Sequence, residues 1–105
     1  MNHLIIVGNL TNNPDVRITQ SGDKVCSFGV AVNRRRTAQG QEADFFRITA
    51  WRGLAETCEK FLAKGRKVAV VGSVSVNVYT AQSGVTRATM EVNAESVEFL
   101  SPKRG

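Results

Sequence analysis

Most of the chain alternates apolar with polar residues at a period of two, and it takes up helical spacing only once. Successive side chains of a strand point to opposite faces, so the alternation dictates sheet, with one face of each strand turned to a core. A first strand is predicted over residues 2–10. The turn at Asn12-Asn13-Pro14-Asp15 ends it, because Pro14 fixes its φ and the Asn and Asp side chains favour turns. A short run over 16–19 precedes a second turn at Ser21-Gly22-Asp23. In residues 24–34, Cys26, Phe28, Val30 and Val32 fall on one face, and Ser27, Gly29, Ala31 and Asn33 on the other. Residues 44–51 place Phe46, Ile48 and Ala50 opposite Phe45, Arg47, Thr49 and Trp51. In residues 66–80, Val68, Val70, Val74, Val76 and Val78 alternate with Ser73, Ser75, Asn77 and Tyr79, and Gly72 between them predicts a bulge or bend. The last strands, over 85–100, alternate Thr86, Ala88, Met90 and Val92 against Arg87, Thr89, Glu91 and Asn93.

The helical window is residues 53–64. Leu54, Ala55, Cys58, Phe61 and Leu62 recur at helical spacing, with Glu56 and Lys60 as an i,i+4 pair and Gly65 as a C′ glycine. Three strands, one helix and two more strands predict an all-β protein with one helix, a five-stranded Greek-key barrel of the OB-fold type with the helix between strands 3 and 4. A β-sandwich is the structural alternative. With 105 residues, one domain over 1–100 is expected, followed by a short basic tail over 101–105. The longest apolar runs hold four residues, at 4–7 and 68–71. A membrane span needs about 20, so none is expected. No secretory or transit leader is read before the first strand. Cys26 and Cys58 are read as buried hydrophobes of a reducing cytoplasm rather than as a disulfide.

Catalysis finds little to work with. The one histidine is His3, and no Asp or Glu sits beside a Ser, Cys or His in a nucleophile pattern. No phosphate-binding glycine loop occurs, and His3 with two distant cysteines makes no zinc pattern. The chain is therefore read as a non-enzyme with no catalytic residues, metal or cofactor. What it does carry is an aromatic and basic constellation. Its net charge is +5 and its isoelectric point about 9.8, the electrostatic footprint of a nucleic-acid binder. Phe45 and Phe46 point opposite ways, so one of them leaves the core. Arg47 and Thr49 on its face make that one Phe45. Phe28, Phe46, Phe61 and Phe99 are assigned to the core. Phe45, Trp51 and Tyr79 are then candidates for stacking on unpaired bases. Arg34, Arg35, Arg36, Arg47, Arg52 and Arg87 are candidates for phosphate contact along the same path. For Arg34–Arg36 a solvated loop over 35–43 is the plainer alternative.

These residues resemble a known family. The opening NHLIIVGNLTNNPDVRITQSGDKVCSFGVAVNR, the segment EADFFRITAWRGLAETCEKFLAKGRKVAVVGSVSVNVYTAQSG and the ending TMEVNAESVEFLSP are similar to the bacterial-type single-stranded DNA-binding protein, over essentially residues 2 to 102. The resemblance implies an OB-fold subunit of a homotetramer that binds single-stranded DNA without reading sequence, in replication, recombination or repair. Its setting would be the cytoplasm, associated with the nucleoid, of bacterial or phage or plasmid origin. The family's stacking positions match Phe45, Trp51 and Tyr79. A further family aromatic falls where this chain has Arg35 or Arg36, which exchanges a stacking contact for charge. The family's acidic C-terminal peptide has no counterpart in the basic Ser101-Pro102-Lys103-Arg104-Gly105, so recruitment of partners through an acidic tip is not predicted. The chain is either a natural short form or a trimmed DNA-binding domain. Two rivals are a dimeric primosome-type accessory protein of the same fold, which usually lacks the full aromatic set, and an RNA-binding OB module.

Overall fold

The computed structural model describes residues 1–34, 40 and 42–100. Arg35, Arg36 and the tail over 101–105 lie outside the described residues. The alternating segments become six strands: β1 (Leu4–Leu10), β2 (Asp15–Ile18), β3 (Lys24–Asn33), β4 (Ala43–Trp51), β5 (Lys67–Thr80) and β6 (Thr86–Phe99). One helix, α1 (Gly53–Phe61), stands between β4 and β5. Strand order runs β1-β5-β6-β4-β3-β2, and β1 also pairs with β3 through Asn9 with Ala31 and Leu10 with Val30. That second pairing closes β1, β5, β6, β4 and β3 into a five-stranded ring, the barrel of the OB-fold. β2 hangs on the edge of β3. β4 and β6 run parallel, and the other paired strands run antiparallel.

The inward faces meet as the alternation requires. Phe28, Val30, Ile48, Val68, Val70 and Val92 are all but completely buried, and Phe46 packs against them. Ala55, Cys58 and Leu62 bring α1 into the same cluster. Burial is the chief cause that raises both cysteine thiols, Cys58 to about 12, so at neutral pH they remain protonated hydrophobes.

Gly72 answers a steric need. A Cβ there would come within 2.2 Å of the Asn93 carbonyl oxygen. The ladder shifts at this point: Val71 faces Ser96 and Gly72 faces Ala94, which leaves Glu95 of β6 as the extra residue. The bulge bends the β5–β6 pair, and beyond it the pair projects as an arm. Val76 and Val78 on that arm are 62% and 61% exposed, although they continue the inward-facing row of β5.

Two expectations need correction. The helix ends at Phe61, not at residue 64. Leu62 turns extended and buries its side chain, while the groups beyond it are claimed by the start of the chain. Lys64 N–H donates to Asn13 Oδ1 (2.9 Å), Gly65 N–H donates to the Leu10 carbonyl (2.9 Å), and Asn9 Nδ2 donates to the Gly65 carbonyl (3.0 Å). Gly65 does take a left-handed φ of 89°, but in this turn rather than at the helix end. Phe61 and Phe99 are the second correction. They pack on each other, with ring centroids 5.5 Å apart, and both remain partly exposed outside the barrel core.

Candidate nucleic-acid interface

Because paired residues in a sheet share a face, the register assembles the outer surface row by row. Arg47 of β4 stands between Gly29 of β3 and Glu91 of β6, and Glu91 is followed by Ser75 of β5. Thr49 stands between Ser27 and Asn93, followed by Ser73. Ala31 lies beside Phe45, and Val25 beside Trp51. Farther out on the arm, Tyr79 faces Arg87. Phe45, Trp51 and Tyr79 are 65%, 41% and 46% exposed, so all three rings offer a face to solvent. Six residues along β4 separate the first two rings by about 20 Å at roughly 3.3 Å per residue. Between them the surface is lined by hydroxyls, amides, the Arg47 guanidinium and the Glu91 carboxylate, with shallow depressions running along it past Thr49, Ser73, Asn93 and Trp51.

The described candidate arginines divide into two groups. Arg47 and Arg87 lie on this face, and neither makes an ion pair with a described carboxylate, although Glu91 is Arg47's neighbour across the ladder. Arg34 is committed elsewhere. Its Nε donates to Asp44 Oδ1 (2.9 Å) and its Nη1 donates to Glu42 Oε2 (3.0 Å). The hydrogen bond from Arg34 holds the Asp44 carboxyl below the usual carboxylate range. Arg52 sits at the corner between β4 and α1 with a φ of 58°, a left-handed conformation that side-chain-bearing residues seldom adopt. Its Nε reaches Asp23 Oδ1 at 3.2 Å. The corner points β4's last residue, Trp51, out of the barrel just before the helix turns away.

Sequence reasoning missed Arg17. Arg17 pairs with Val25 across the β2–β3 ladder, and Val25 pairs with Trp51, so guanidinium and indole flank the same small depression. No described carboxylate pairs with it. The signal was present in the run over 16–19, but alternation alone does not say which residue of β3 each residue of β2 faces.

Comparison with known proteins identifies the family. Residues 1–100 match the Single-strand binding protein family. Single-stranded DNA-binding protein A of Bacillus subtilis (strain 168) is 42% identical over 107 residues, spanning 100% of this chain and 62% of its own length. Single-stranded DNA-binding protein 2 of Listeria monocytogenes is 44% identical over 105 residues, 98% of this chain and 66% of its own. The single-stranded DNA-binding protein of Caldanaerobacter subterraneus is 42% identical over 107 residues, 100% of this chain and 71% of its own. The chain thus spans about two thirds of the length of these curated relatives. A match over nearly the whole chain, with relatives above 40% identity, makes this chain a member of the Single-strand binding protein family.

Proposed function

We propose that residues 1–100 bind single-stranded DNA without reading its sequence, and so protect exposed strands in the bacterial cytoplasm during replication, recombination or repair. The observation that carries this reading is the set of three exposed rings, Phe45, Trp51 and Tyr79, interleaved on one continuous sheet face with arginines that make no ion pair with a described carboxylate. Flat rings take unpaired bases of any kind, because every base has a π-face, and the cations take phosphates. Arg17, Arg47 and Arg87 supply those cations, and Arg35 and Arg36 add to them from the 35–43 segment. Arg34 and Arg52 contribute only by exchanging a carboxylate for a phosphate.

Titration with dT oligomers tests the reading directly, since Trp51 is the single tryptophan. Strong quenching is expected; unchanged fluorescence at saturating oligomer would overturn it. Salt separates charge from stacking. For single strands the affinity falls with salt at a logarithmic slope of about −0.7 per neutralised phosphate. Replacing Arg17 and Arg87 with alanine is expected to flatten that slope by about 1.4 if each meets one phosphate, equally for all base compositions. An unaltered slope would return both arginines to ordinary surface.

Assembly belongs to the same proposal. Ile5 and Val7 leave the outer face of β1 apolar, at 65% and 44% exposure, and the arm carries Val76 and Val78 uncovered. Two separate apolar surfaces ask for two kinds of cover. We read both as contacts between copies of this chain in a homotetramer. Light scattering at micromolar concentration is expected to give four chains; a monomer mass would overturn the assembly without touching the binding.

A further inference from the structure

One cleft on the binding face is built differently from the rest. It encloses about 370 Å³ between Phe45 and Arg47 on one side and Thr11, Asn12 and Asp15 on the other. Gly29 lies between these walls and has no side chain. A Cβ at Gly29 would meet Thr11 Oγ1 at 2.4 Å, so glycine is what lets the segment after β1 sit this close. That wall is tied down where β3 changes partner from β1 to β2. Thr11 N–H donates to the Gly29 carbonyl (3.0 Å), and Gly29 N–H donates to Asn12 Oδ1 (3.0 Å). Thr11 Oγ1 donates to the same oxygen (3.0 Å), and Asn12 Nδ2 donates to the Asn13 carbonyl (2.9 Å). The Asn12 amide is thereby occupied with the wall itself.

The charged groups that remain to meet a ligand are Asp15 and Arg47, with the hydroxyls of Ser27 and Thr89 also on the lining. Asp15 lies on the binding face opposite Ser27, and Arg47 lies opposite Gly29. Neither makes an ion pair or side-chain hydrogen bond with a described residue. Arg47 alone would suit a phosphate. Asp15 would not, because a carboxylate repels it. A base accounts for both. The ionised carboxylate only accepts hydrogen bonds and the guanidinium only donates them. Guanine offers two adjacent N–H donors, N1–H and the 2-amino group, to the two carboxylate oxygens. It offers O6 and N7 to a guanidinium. Thymine sets its single N–H between two carbonyl oxygens, which a carboxylate disfavours. Adenine and cytosine place an acceptor nitrogen beside their amino group.

We infer that the cleft between Phe45 and Asp15 is a guanine-preferring subsite, in which a base stacked on Phe45 is held at its edge by Asp15 and Arg47. The strand as a whole is bound without regard to sequence, while one nucleotide per subunit is chosen. The inference rests on the proposed binding of single-stranded DNA. Its test uses the full chain and a set of dT oligomers in which one central residue is replaced by dG, dA, dC or deoxyinosine, compared at one salt concentration. The dG oligomer is expected to bind about fivefold or more tighter than its dT parent. Deoxyinosine, which lacks only the 2-amino group, should lose most of that advantage. In Asp15→Asn the ratio of dG to dT affinity is expected to fall severalfold, leaving only what Arg47 contributes at O6 and N7. Equal affinities for dG and dT in the native chain, or a dG advantage undiminished in Asp15→Asn, would overturn the subsite and leave the binding reading standing. Failure of the all-dT oligomer to bind would overturn both.

Discussion

A chain with both Phe45 and Trp51 replaced by alanine is expected to bind single-stranded DNA about 30-fold to about 20,000-fold more weakly than the native chain. The range follows from roughly 1–3 kcal/mol for each stacked base and about 1.4 kcal/mol per decade of affinity. The two rings stand about 20 Å apart by strand rise, so they serve different nucleotides and their losses should nearly add. Both are substantially exposed, so their removal should barely touch folding. A thermal melt within a few degrees of native would confirm that the effect lies in binding. Since Trp51 is also the fluorescent reporter, affinity is best followed through a dye on the oligomer. Binding within threefold of native in a folded double variant would remove stacking from the mechanism.

Replacing Phe28 with alanine should act on the fold instead, lowering stability by about 3–5 kcal/mol. Phe28 is 2% exposed and is the largest of the fully buried side chains. It pairs with Ile48 across the β3–β4 ladder, and its ring fills the middle of the barrel core. The surrounding strands are locked by their ladders, so the space left behind closes poorly. For a domain of this size that loss is a large part of a total of roughly 5–15 kcal/mol. Urea unfolding of Phe28→Ala against Phe61→Ala makes the comparison. Phe61 is partly exposed and leans mainly on Phe99, so its truncation should cost clearly less. Equal losses would mean that the barrel interior does not dominate stability.

Much of this fold can be read from the chain because a strand's two faces are written into consecutive residues. Phe45 and Phe46 show how far that goes: the polar company of one and the apolar company of the other sorted them outward and inward. Gly72 likewise announced a bend, since a residue without a side chain in a valine-rich strand marks a place where backbones crowd. What stayed hidden depends on partners distant in sequence. Arg34 and Arg52 looked like free cations, but Asp44 and Asp23 neutralise them across turns and ladders. Arg17 looked incidental until its register put it beside Trp51. The bulged residue itself, Glu95, lies on the strand opposite the glycine that makes room for it. Helical spacing continued through Leu62, but hydrogen bonding to Leu10 and Asn13 ended the helix first.

The closing of the ring also bears on how the chain is made. β1 emerges first, yet its long ladder is with β5, near the other end of the sequence, and β4 waits for β6. The ladders that can form from neighbouring sequence are β2 with β3, β3 with β4 and β5 with β6. A nascent chain halted before Thr86 would hold α1 and five strands, but β4 and β5 would each lack the neighbour they share in β6. Such late, long-range pairing slows folding and leaves strand edges open to other chains in the meantime. Synthesis of this protein therefore passes through a stage in which five of its six strands exist but the barrel cannot close, because both ladders to β6 are still missing.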